Sequence, residues 1–497
     1  MITIAQIAAE AAPWCKTGGL GDVAGALPDA LIEAGRERGE EVEAALFLPL
    51  YRAVRQAIDA RGLTLIDTGV EVTVPFGLGP ERARFLRIDP GEGLAPVFLL
   101  DAPARYDRPR LYDDEHQRPY HDNLHRYALL CRAALEAAPR LLGRAPDIIH
   151  AHDWQGALAP VYLKTRYQGA LPSTAAVFTI HNLAYQGLFA GELRHTIDLD
   201  PGAFHMDALE YHGALNLLKG GVAFADATTT VSRSYAAEIC TPQLGCGLDG
   251  FLRARARRLT GVVNGVDTRD WDPATDPALA ENYDPKNMSG KAACRAALLA
   301  ELGLSAAPEE PVLAIVSRFT AQKGLDLVAE LVPHLHALGA RLVVLGSGDA
   351  ALEAQFRYLG EVYGHHLATR VGFDLPLSRR IYAGADILLM PSRFEPCGLN
   401  QLYAMRYGAV PVVHAVGGLR DTVDDPGDAA LTHGEGTGFR FEHPTAQGLY
   451  WALGRAVRMF REQPSGWRQL VATCMARDVS WAASASTYLE LYRALLR

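Results

Sequence analysis

Residues 313–327, LAIVSRFTAQKGLDL, join a run of apolar residues to a polar turn and then to a helical pattern. The run LAIV has the length and the branched residues of a buried strand. The turn beyond it carries Arg318 and Lys323, five positions apart. Ligands of α/β folds bind beyond the carboxyl ends of parallel strands. The two cations therefore predict a site for an anion, although a single surface Arg or Lys is the commonest alternative.

A second apolar run, ADILLM, leads into PSRFEPCGLNQL at residues 391–402. The pattern predicts a helix with Pro396 at its first position. Glu395 then offers acceptors to sugar hydroxyls, and the amides of Gly398 and Leu399 face a phosphate. A plain helix start is the alternative interpretation. Together the two segments predict a site for a sugar joined to a diphosphate.

Apolar runs followed by Gly-rich turns and helix-length intervals recur along the whole chain. They are ITIAQIAAE, AALFLPL, PVFLLDAP, DIIHAHD, AAVFTIHN, ATTTVS, LAIVSR, RLVVLGSG, ADILLMPS and VPVVHAVGG. This pattern predicts parallel sheets covered by helices on both faces. Residues 261–290 are dense in Asp, Asn, Pro and Gly, which indicates a linker. We therefore expect an α/β protein with two doubly wound, Rossmann-like domains, residues 1–264 and 265–477, facing each other across a deep cleft.

Composition excludes several classes of protein. The chain has 497 residues, 49% hydrophobic and 21% charged, and a formal net charge of -9. An acidic balance argues against a nucleic-acid or membrane-surface binder. The seven cysteines lack C-x-x-C spacing, and no apolar run reaches the roughly 18 residues of a membrane span. We expect a cytoplasmic protein without a targeting segment.

The first turn of the chain, KTGGLGDVAGALP at residues 16–28, follows the first predicted strand and leads into a helical pattern over 23–34. Gly18 and Gly19 allow the main chain to approach a ligand, and Lys16 adds a charge. The turn matches neither G-x-G-x-x-G nor the Walker A sequence. A tight connection without ligand is the alternative.

Two further strand ends carry polar groups. HAHDWQGA begins at His150 and contains Asp153, whose carboxylate can accept hydrogen bonds from sugar hydroxyls. HNLAYQG begins at His181, which can bind a sugar hydroxyl or approach the reacting carbon through its carbonyl group. For His150 and Trp154 the alternative is packing between helices. The histidine spacing does not favour a metal site.

Two other patterns do not favour a function of their own. LGSGDAALE, from Leu345, lacks the third glycine of a dinucleotide turn, so no NAD site is expected. Cys397 has no nearby histidine to ionise it, and we expect a small packed residue. Because Arg318 and Lys323 can neutralise a leaving diphosphate, we expect no metal and no cofactor.

The ordered motifs resemble those of bacterial glycogen synthases and plant starch synthases over nearly the whole chain. The motifs are KTGGLGDV, HAHDWQ, HNLAYQG, NGVD, SRFTAQKGLDL, PSRFEPCGLNQLYAMRYG and GGLRDTV. The resemblance implies the two-domain GT-B fold and a retaining glycosyltransferase. The expected reaction transfers glucose from ADP-glucose to the non-reducing end of glycogen or another α-1,4-glucan. The last segment, residues 478–497, resembles the family's final helix, which packs back on the first domain.

The resemblance also implies roles for individual residues. The donor diphosphate is expected at Arg318 and Lys323. The expected catalytic residues are Lys16, His181, Arg318, Lys323 and Glu395. The expected substrate-binding residues are Gly18, Gly19, Asp22, Asp153, Asn264, Phe373, Cys397, Gly398, Leu399 and Asn400.

Three positions depart from the family pattern. Phe373 stands where many members have a tyrosine that stacks on adenine, so the ring remains and the hydroxyl is lost. Asn400 replaces a threonine, which changes a hydroxyl contact with phosphate into an amide contact. Arg233 stands where proline is usual. None of these changes removes a charge assigned to the reaction.

Several alternatives stay open at this point. UDP-glucose or another acceptor would suit the same motifs, and a non-catalytic sugar-nucleotide sensor would keep the same fold. A pyridoxal-phosphate phosphorylase shares the architecture but needs a Schiff-base lysine and a longer chain. The sequence does not decide between same-face attack and a covalent intermediate, nor whether the chain forms a homo-oligomer.

Overall fold

The computed structural model describes residues 1–89, 91, 93–116 and 118–497. The chain divides into two compact units. The amino-terminal unit contains residues 1–265 and 481–497, and the carboxy-terminal unit contains residues 266–480. Each is a mixed α/β unit built on a largely parallel sheet.

The amino-terminal unit is organised around one large sheet. Its strands are β1 (Ile2–Ile7), β2 (Val42–Pro49), β3 (Ile66–Phe76), β4 (Gly79–Ile88), β5 (Val97–Asp101), β6 (Ile148–His152), β7 (Ala175–Ile180), β8 (Leu188–Ala190), β9 (Glu210–Tyr211), β10 (Ala214–Asn216), β11 (Ala227–Thr230) and β12 (Leu259–Gly261). The sheet order is β12-β11-β7-β6-β1-β2-β5-β4-β3, parallel from β12 to β5. Strands β8, β10 and β9 form a separate small antiparallel sheet.

Helices cover this sheet. They are α1 (Gly19–Glu37), α2 (Arg52–Ala60), α3 (Pro103–Tyr106), α4 (Asn123–Leu141), α5 (Asp153–Gly156), α6 (Leu158–Thr165), α7 (Leu217–Phe224), α8 (Arg233–Glu238), α9 (Asp249–Ala254) and, at the end of the chain, α20 (Ala482–Leu495). Helix α1 buries Val23, Leu27 and Leu31, which the helical period places on one face. Helix α20 packs Tyr488 and Leu489 into the same cluster.

The carboxy-terminal unit has a parallel sheet in the order β15-β14-β13-β16-β17-β18. Its strands are β13 (Val312–Val316), β14 (Arg341–Gly346), β15 (Leu367–Val371), β16 (Ile387–Met390), β17 (Val410–His414) and β18 (Phe439–Phe441). Its helices are α10 (Ser289–Leu302), α11 (Leu325–Leu331), α12 (Leu335–Leu338), α13 (Ala350–Val362), α14 (Leu375–Gly384), α15 (Asn400–Arg406), α16 (Gly417–Thr422), α17 (Asp428–Thr432), α18 (Ala446–Glu462) and α19 (Pro464–Ala476).

The α/β class and the parallel sheets predicted from sequence are confirmed, because each of the ten apolar runs contains a strand. Two predicted helix starts are wrong. Helix α1 begins at Gly19 instead of residue 23, so the Gly-rich turn itself enters the helix. Helix α15 begins at Asn400, so Pro396 is not its first residue and the segment EPCG forms a bend before it.

The antiparallel hairpin of β3 and β4 was not predicted. Its sequence nevertheless carries a strand signal, since Val70, Val72, Val74 and Phe76 are buried and alternate with exposed neighbours. This period of two is typical of a sheet with one face in solvent.

In each unit the strand order reverses beside a central strand. Strand β1 lies between β2 and β6, and β13 lies between β14 and β16. Such a switch point opens a crevice at the carboxyl ends of the strands. Among the residues that the structure describes, no helix is both long and apolar enough to cross a membrane.

Candidate active site

The turn after β1 presents Lys16 beside the first turn of α1. Lys16 Nζ lies 2.8 Å from Asp22 Oδ1, and both side chains are partly exposed. Gly18 is the N-cap of the helix. At Gly21 a Cβ atom would lie 2.4 Å from Lys16 Cβ, so only glycine lets the helix pack against this turn. The structure therefore brings together two of the predicted site residues, Lys16 and Asp22.

A buried carboxylate that sequence reasoning did not assign holds this turn. Glu10 accepts hydrogen bonds from the main-chain N–H of Thr17, from its hydroxyl at 2.8 Å and from the Tyr112 hydroxyl at 2.5 Å. Burial raises the pKa of Glu10 above its ordinary value. The available signal was a charged residue inside the otherwise apolar segment ITIAQIAAEAA.

Asp153 begins the short helix after β6 in a left-handed conformation, with φ of 52°. This conformation costs a residue other than glycine about 1 kcal/mol or more and is concentrated at functional sites. Its Oδ1 accepts the main-chain N–H of His181 at 2.7 Å and that of Asn182 at 3.4 Å. Burial raises the pKa of Asp153 to about 7. Asp153 thus follows β6 directly and fixes the turn after β7.

His181 lies just beyond β7 with its ring nearly buried. Its Nε2 is 3.0 Å from Nδ1 of His152, the last residue of β6. Burial lowers the pKa of His181 well below its ordinary value, so the ring is neutral. Two predicted residues are therefore in contact, because Asp153 binds the main-chain N–H of His181. The ring of His181 is held by His152, a residue to which the sequence analysis gave no role.

The remaining predicted residue of this unit is Asn264, which is 6% exposed. Its Oδ1 is buried without a partner among the described residues. The alternative interpretation of Trp154 and His150 as packing residues agrees with their surroundings. Trp154 packs edge-on against Tyr127 at 5.0 Å, and His150 is fully buried.

In the carboxy-terminal unit, Lys323 and Glu395 meet. Lys323 Nζ donates to Glu395 Oε2 at 2.6 Å, and Ser392 Oγ donates to the same oxygen at 2.8 Å. Lys323 follows β13 and Glu395 follows the adjacent strand β16. The ion pair therefore joins a cation and a buried carboxylate that lie 72 residues apart in sequence, at the carboxyl ends of two neighbouring strands.

Gly324 makes this contact possible. Its φ is 66°, and a Cβ atom there would lie 2.2 Å from the carbonyl oxygen of Pro391. The turn that carries Lys323 can thus press directly against the segment that carries Glu395.

Arg318 and Phe373 are exposed, in contrast to this pair. The Arg318 guanidinium has no ion pair within the described ranges of the chain. Phe373 is 81% exposed, more than any other large hydrophobic side chain that the structure describes. Both groups are therefore available to a ligand.

The bend before α15 and the first residue of that helix carry the last four predicted residues. Cys397 and Leu399 are buried, and Gly398 has φ of 72°. The side-chain nitrogen of Asn400 donates to the carbonyl oxygen of Val316, the last residue of β13. The amide nitrogen that was expected to contact phosphate is therefore bound to the main chain.

Two family models match this chain. A model described as the starch synthase catalytic domain matches residues 3–254. A model for glycosyl transferases group 1 matches residues 310–453.

Curated relatives and a solved structure match nearly the full length. The chain is 47% identical to a glycogen synthase of Anaeromyxobacter dehalogenans over 492 residues, covering 98% of both chains. It is 43% identical to a glycogen synthase of Variovorax paradoxus, covering 99% of both. The catalytic domain of starch synthase IV from Arabidopsis thaliana, solved with ADP and acarbose, superposes with a TM-score of 0.90 at 32% identity, covering 100% of this chain and 99% of that one.

Proposed function

Because the chain belongs to the glycogen synthase and starch synthase family of GT-B glycosyltransferases, we propose that it transfers glucose from ADP-glucose to the non-reducing end of an α-1,4-glucan. The reaction retains the α configuration and releases ADP. The enzyme class and the glycogen or starch synthase activity follow from the full-length relatives. The solved starch synthase binds ADP, which favours an adenine nucleotide as carrier of the glucose.

One observation carries the assignment of the donor site, namely the contact of Lys323 with Glu395 beyond β13 and β16. An ammonium group has three donors, so Lys323 can keep its bond to Glu395 and still donate to phosphate oxygens. Lys323 and Ser392 both donate to Oε2 of Glu395. This leaves Oε1 to accept a hydrogen bond from a sugar hydroxyl. This contact supports a phosphate site next to a sugar site.

The charge that develops on the leaving group explains why cations are needed. When the bond between the sugar C1 and the phosphate oxygen breaks, its electron pair goes to the diphosphate. Fixed donors that face this developing charge lower the barrier. We assign this role to Lys323 and to the exposed guanidinium of Arg318, with Phe373 as the stacking surface for the base.

The amino-terminal unit offers groups of a different kind. His181 and Asp153 are buried, and the His181 ring is neutral, which suits hydrogen bonds to sugar hydroxyls. Lys16, held by Asp22, adds one positive charge at the end of β1. We assign Lys16 and His181 to the donor glucose and Asp153 to the turn that positions His181.

We propose same-face attack as the chemical step. The acceptor hydroxyl oxygen forms the new bond to C1 on the face from which ADP departs, and its proton passes to the departing phosphate oxygen. The alternative, a covalent glucosyl enzyme, requires a carboxylate beneath C1, and detection of such an adduct by mass spectrometry after trapping would refute same-face attack.

The decisive assay measures ADP release and glucan extension together. Purified protein is incubated with glycogen or with maltooligosaccharides, and with either ADP-glucose or UDP-glucose. We expect ADP release that depends on the glucan, with each ADP matched by one glucose added to the chain. Release of nucleotide without glucan growth, or growth only with UDP-glucose, would contradict the proposal. The cytoplasm is the compartment that we propose, a choice supported by seven free thiols.

A further inference from the structure

We propose that Gln6 is a positioning residue for the transfer reaction, which acts through His152 to fix His181 in the tautomer that presents an unprotonated Nδ1 to the substrate. The inference rests on the proposed function, because it takes a sugar hydroxyl as the partner of His181. It concerns a side chain near the carboxyl end of β1 that no sequence motif marked.

The three side chains form a continuous chain of hydrogen bonds on one face of the amino-terminal sheet. Gln6 Oε1 is 3.1 Å from His152 Nε2, and His152 Nδ1 is 3.0 Å from His181 Nε2. Gln6 and His152 are 0% exposed, whereas His181 is 7% exposed at the strand end. The chain therefore runs from the core to the surface where a ligand can bind.

Both rings are neutral, and each then carries a single N–H. Burial lowers the pKa of His152 to about 3 and that of His181 well below its ordinary value. A carbonyl oxygen only accepts, so His152 carries its proton on the Nε2 that faces Gln6. Its Nδ1 is then bare and accepts from Nε2–H of His181. The remaining nitrogen of His181, Nδ1, consequently has a lone pair and no proton.

A bare Nδ1 determines how a sugar is recognised. A hydroxyl that binds there must donate, which leaves its oxygen free to accept from another group. The main-chain N–H of His181 is held at the same time by Asp153 Oδ1 at 2.7 Å. Ring and backbone of His181 are thus fixed from two sides before the substrate arrives.

The orientation of the Gln6 amide is the variable that decides the tautomer. Gln6 Nε2 is buried and has no partner in the part of the chain that the structure describes. If the amide turned, this nitrogen would donate to His152 and every donor in the chain would reverse. His181 would then present an Nδ1–H to the sugar.

A neighbouring histidine provides a matched control. His150, two residues before His152 on β6, is equally buried but has its own partners. Its Nδ1 is 2.8 Å from the Tyr492 hydroxyl and its Nε2 is 2.6 Å from Thr179 Oγ1. Tyr492→Phe therefore removes a buried bond to a histidine of the same strand without touching the chain from Gln6 to His181.

The first test reads the tautomer in the free enzyme. Long-range proton–nitrogen NMR of protein labelled with 15N-histidine distinguishes protonated from bare ring nitrogens, and the His181 signals are assigned as those missing in His181→Gln. We expect wild type and Tyr492→Phe to have a protonated Nε2 and a bare Nδ1 on His181. Gln6→Met, which removes the acceptor at similar size, should give a mixture of tautomers.

The second test is kinetic. Gln6→Met should lower kcat/KM for ADP-glucose about 10- to 100-fold, by analogy with the loss of a group that orients a metal-binding histidine. Tyr492→Phe should stay within about twofold of wild type. If Gln6→Met does not fold, the wild-type spectrum still decides.

Protonated Nδ1 on His181 in wild type would overturn the proposal, and so would unchanged tautomer and kinetics in a folded Gln6→Met. Both results leave the proposed function standing. Absence of glucosyl transfer by wild type would instead count against the proposed function, whatever tautomer the spectrum shows.

Discussion

The candidate site residues of the two units differ in charge and in burial. In the amino-terminal unit the groups near the sheet edge are mostly buried, and burial shifts the pKa values of Glu10, Asp153 and His181. In the carboxy-terminal unit Lys323 is compensated by Glu395 at 2.6 Å, and Arg318 is exposed. Neutral groups bind hydroxyls at little desolvation cost, whereas formal charges bind phosphate. This difference supports our proposal that the first unit mainly recognises the sugar and that the second binds the leaving diphosphate.

The largest effect should follow from removing the central cation. Lys323→Ala is expected to lower kcat about 100-fold, because one donor to the developing charge is lost. Glucosyl transfer from ADP-glucose to glycogen measures it. Arg380→Ala is the matched control, since Arg380 is paired with Glu301 at 2.8 Å on the surface of the same unit. Equal losses in both variants would break the assignment of the diphosphate to Lys323.

A second lysine of the same unit, Lys291, is expected to stabilise the fold and to take no part in the reaction. Lys291 Nζ donates to the carbonyl oxygens of Ala383, Ala385 and Tyr407 at 3.0, 3.0 and 2.9 Å. Lys291→Met removes the donor to all three oxygens, of which only that of Tyr407 keeps a second bond within the described residues, from the Tyr283 hydroxyl at 2.7 Å. The change should lower the free energy of unfolding by about 3 kcal/mol. Denaturant titration measures the loss, and the exposed Lys286→Met should show almost none. A folded Lys291→Met should keep the wild-type KM.

The prediction for Asp153 tests the cost of burial in the amino-terminal unit. Its pKa of about 7 lies above the ordinary aspartate value of 3.8, so the folded state keeps the proton to higher pH than the unfolded state does. Stability contributed by the protonated group is present below about pH 4 and is lost as the pH rises through 7. Asp153→Asn should therefore raise the free energy of unfolding at pH 8 by of order 3 kcal/mol and hardly at all at pH 4. It should also lower transfer activity.

Thermal unfolding at several pH values measures this difference. Asp226→Asn is the control, because Asp226 also accepts a main-chain N–H, from Ala176 at 2.7 Å, but is partly exposed and paired with Lys164. It should gain no stability at high pH. A gain in Asp226→Asn equal to that in Asp153→Asn would contradict the explanation by burial.

The smallest effect is expected at Phe373. Loss of stacking on the nucleotide base costs about 1–3 kcal/mol, so Phe373→Ala should raise the KM for ADP-glucose roughly 10-fold with little change in kcat. Tyr358→Ala removes another exposed aromatic ring, 63% exposed, from the same unit and should leave KM unchanged. An unchanged KM in Phe373→Ala would show that the nucleotide base does not stack on this ring.

The elements that the sequence predicted best are those whose signal is local. Every apolar run of the parallel sheets contains a strand, because four to eight buried branched residues between turns allow few other structures. The predicted start of α15 at Pro396 was wrong, because a proline suits a bend as well as the first position of a helix. The hairpin from β3 to β4 was missed although residues 70–76 alternate clearly.

The contacts that position the site are not local, and this explains why they were missed. Gln6 and His152 are separated by 146 residues and Glu10 and Tyr112 by 102. No spacing rule links such pairs in a single sequence. Lys323 and Glu395 were predicted as site residues because each follows a strand end, but their ion pair over 72 residues appears only in the structure.

The most direct test of this division of roles is a crystal structure of the protein soaked with ADP. We expect the diphosphate to lie within hydrogen-bond distance of Lys323 Nζ and the Arg318 guanidinium, with the adenine against Phe373. A diphosphate bound away from both Lys323 and Arg318 would contradict this assignment.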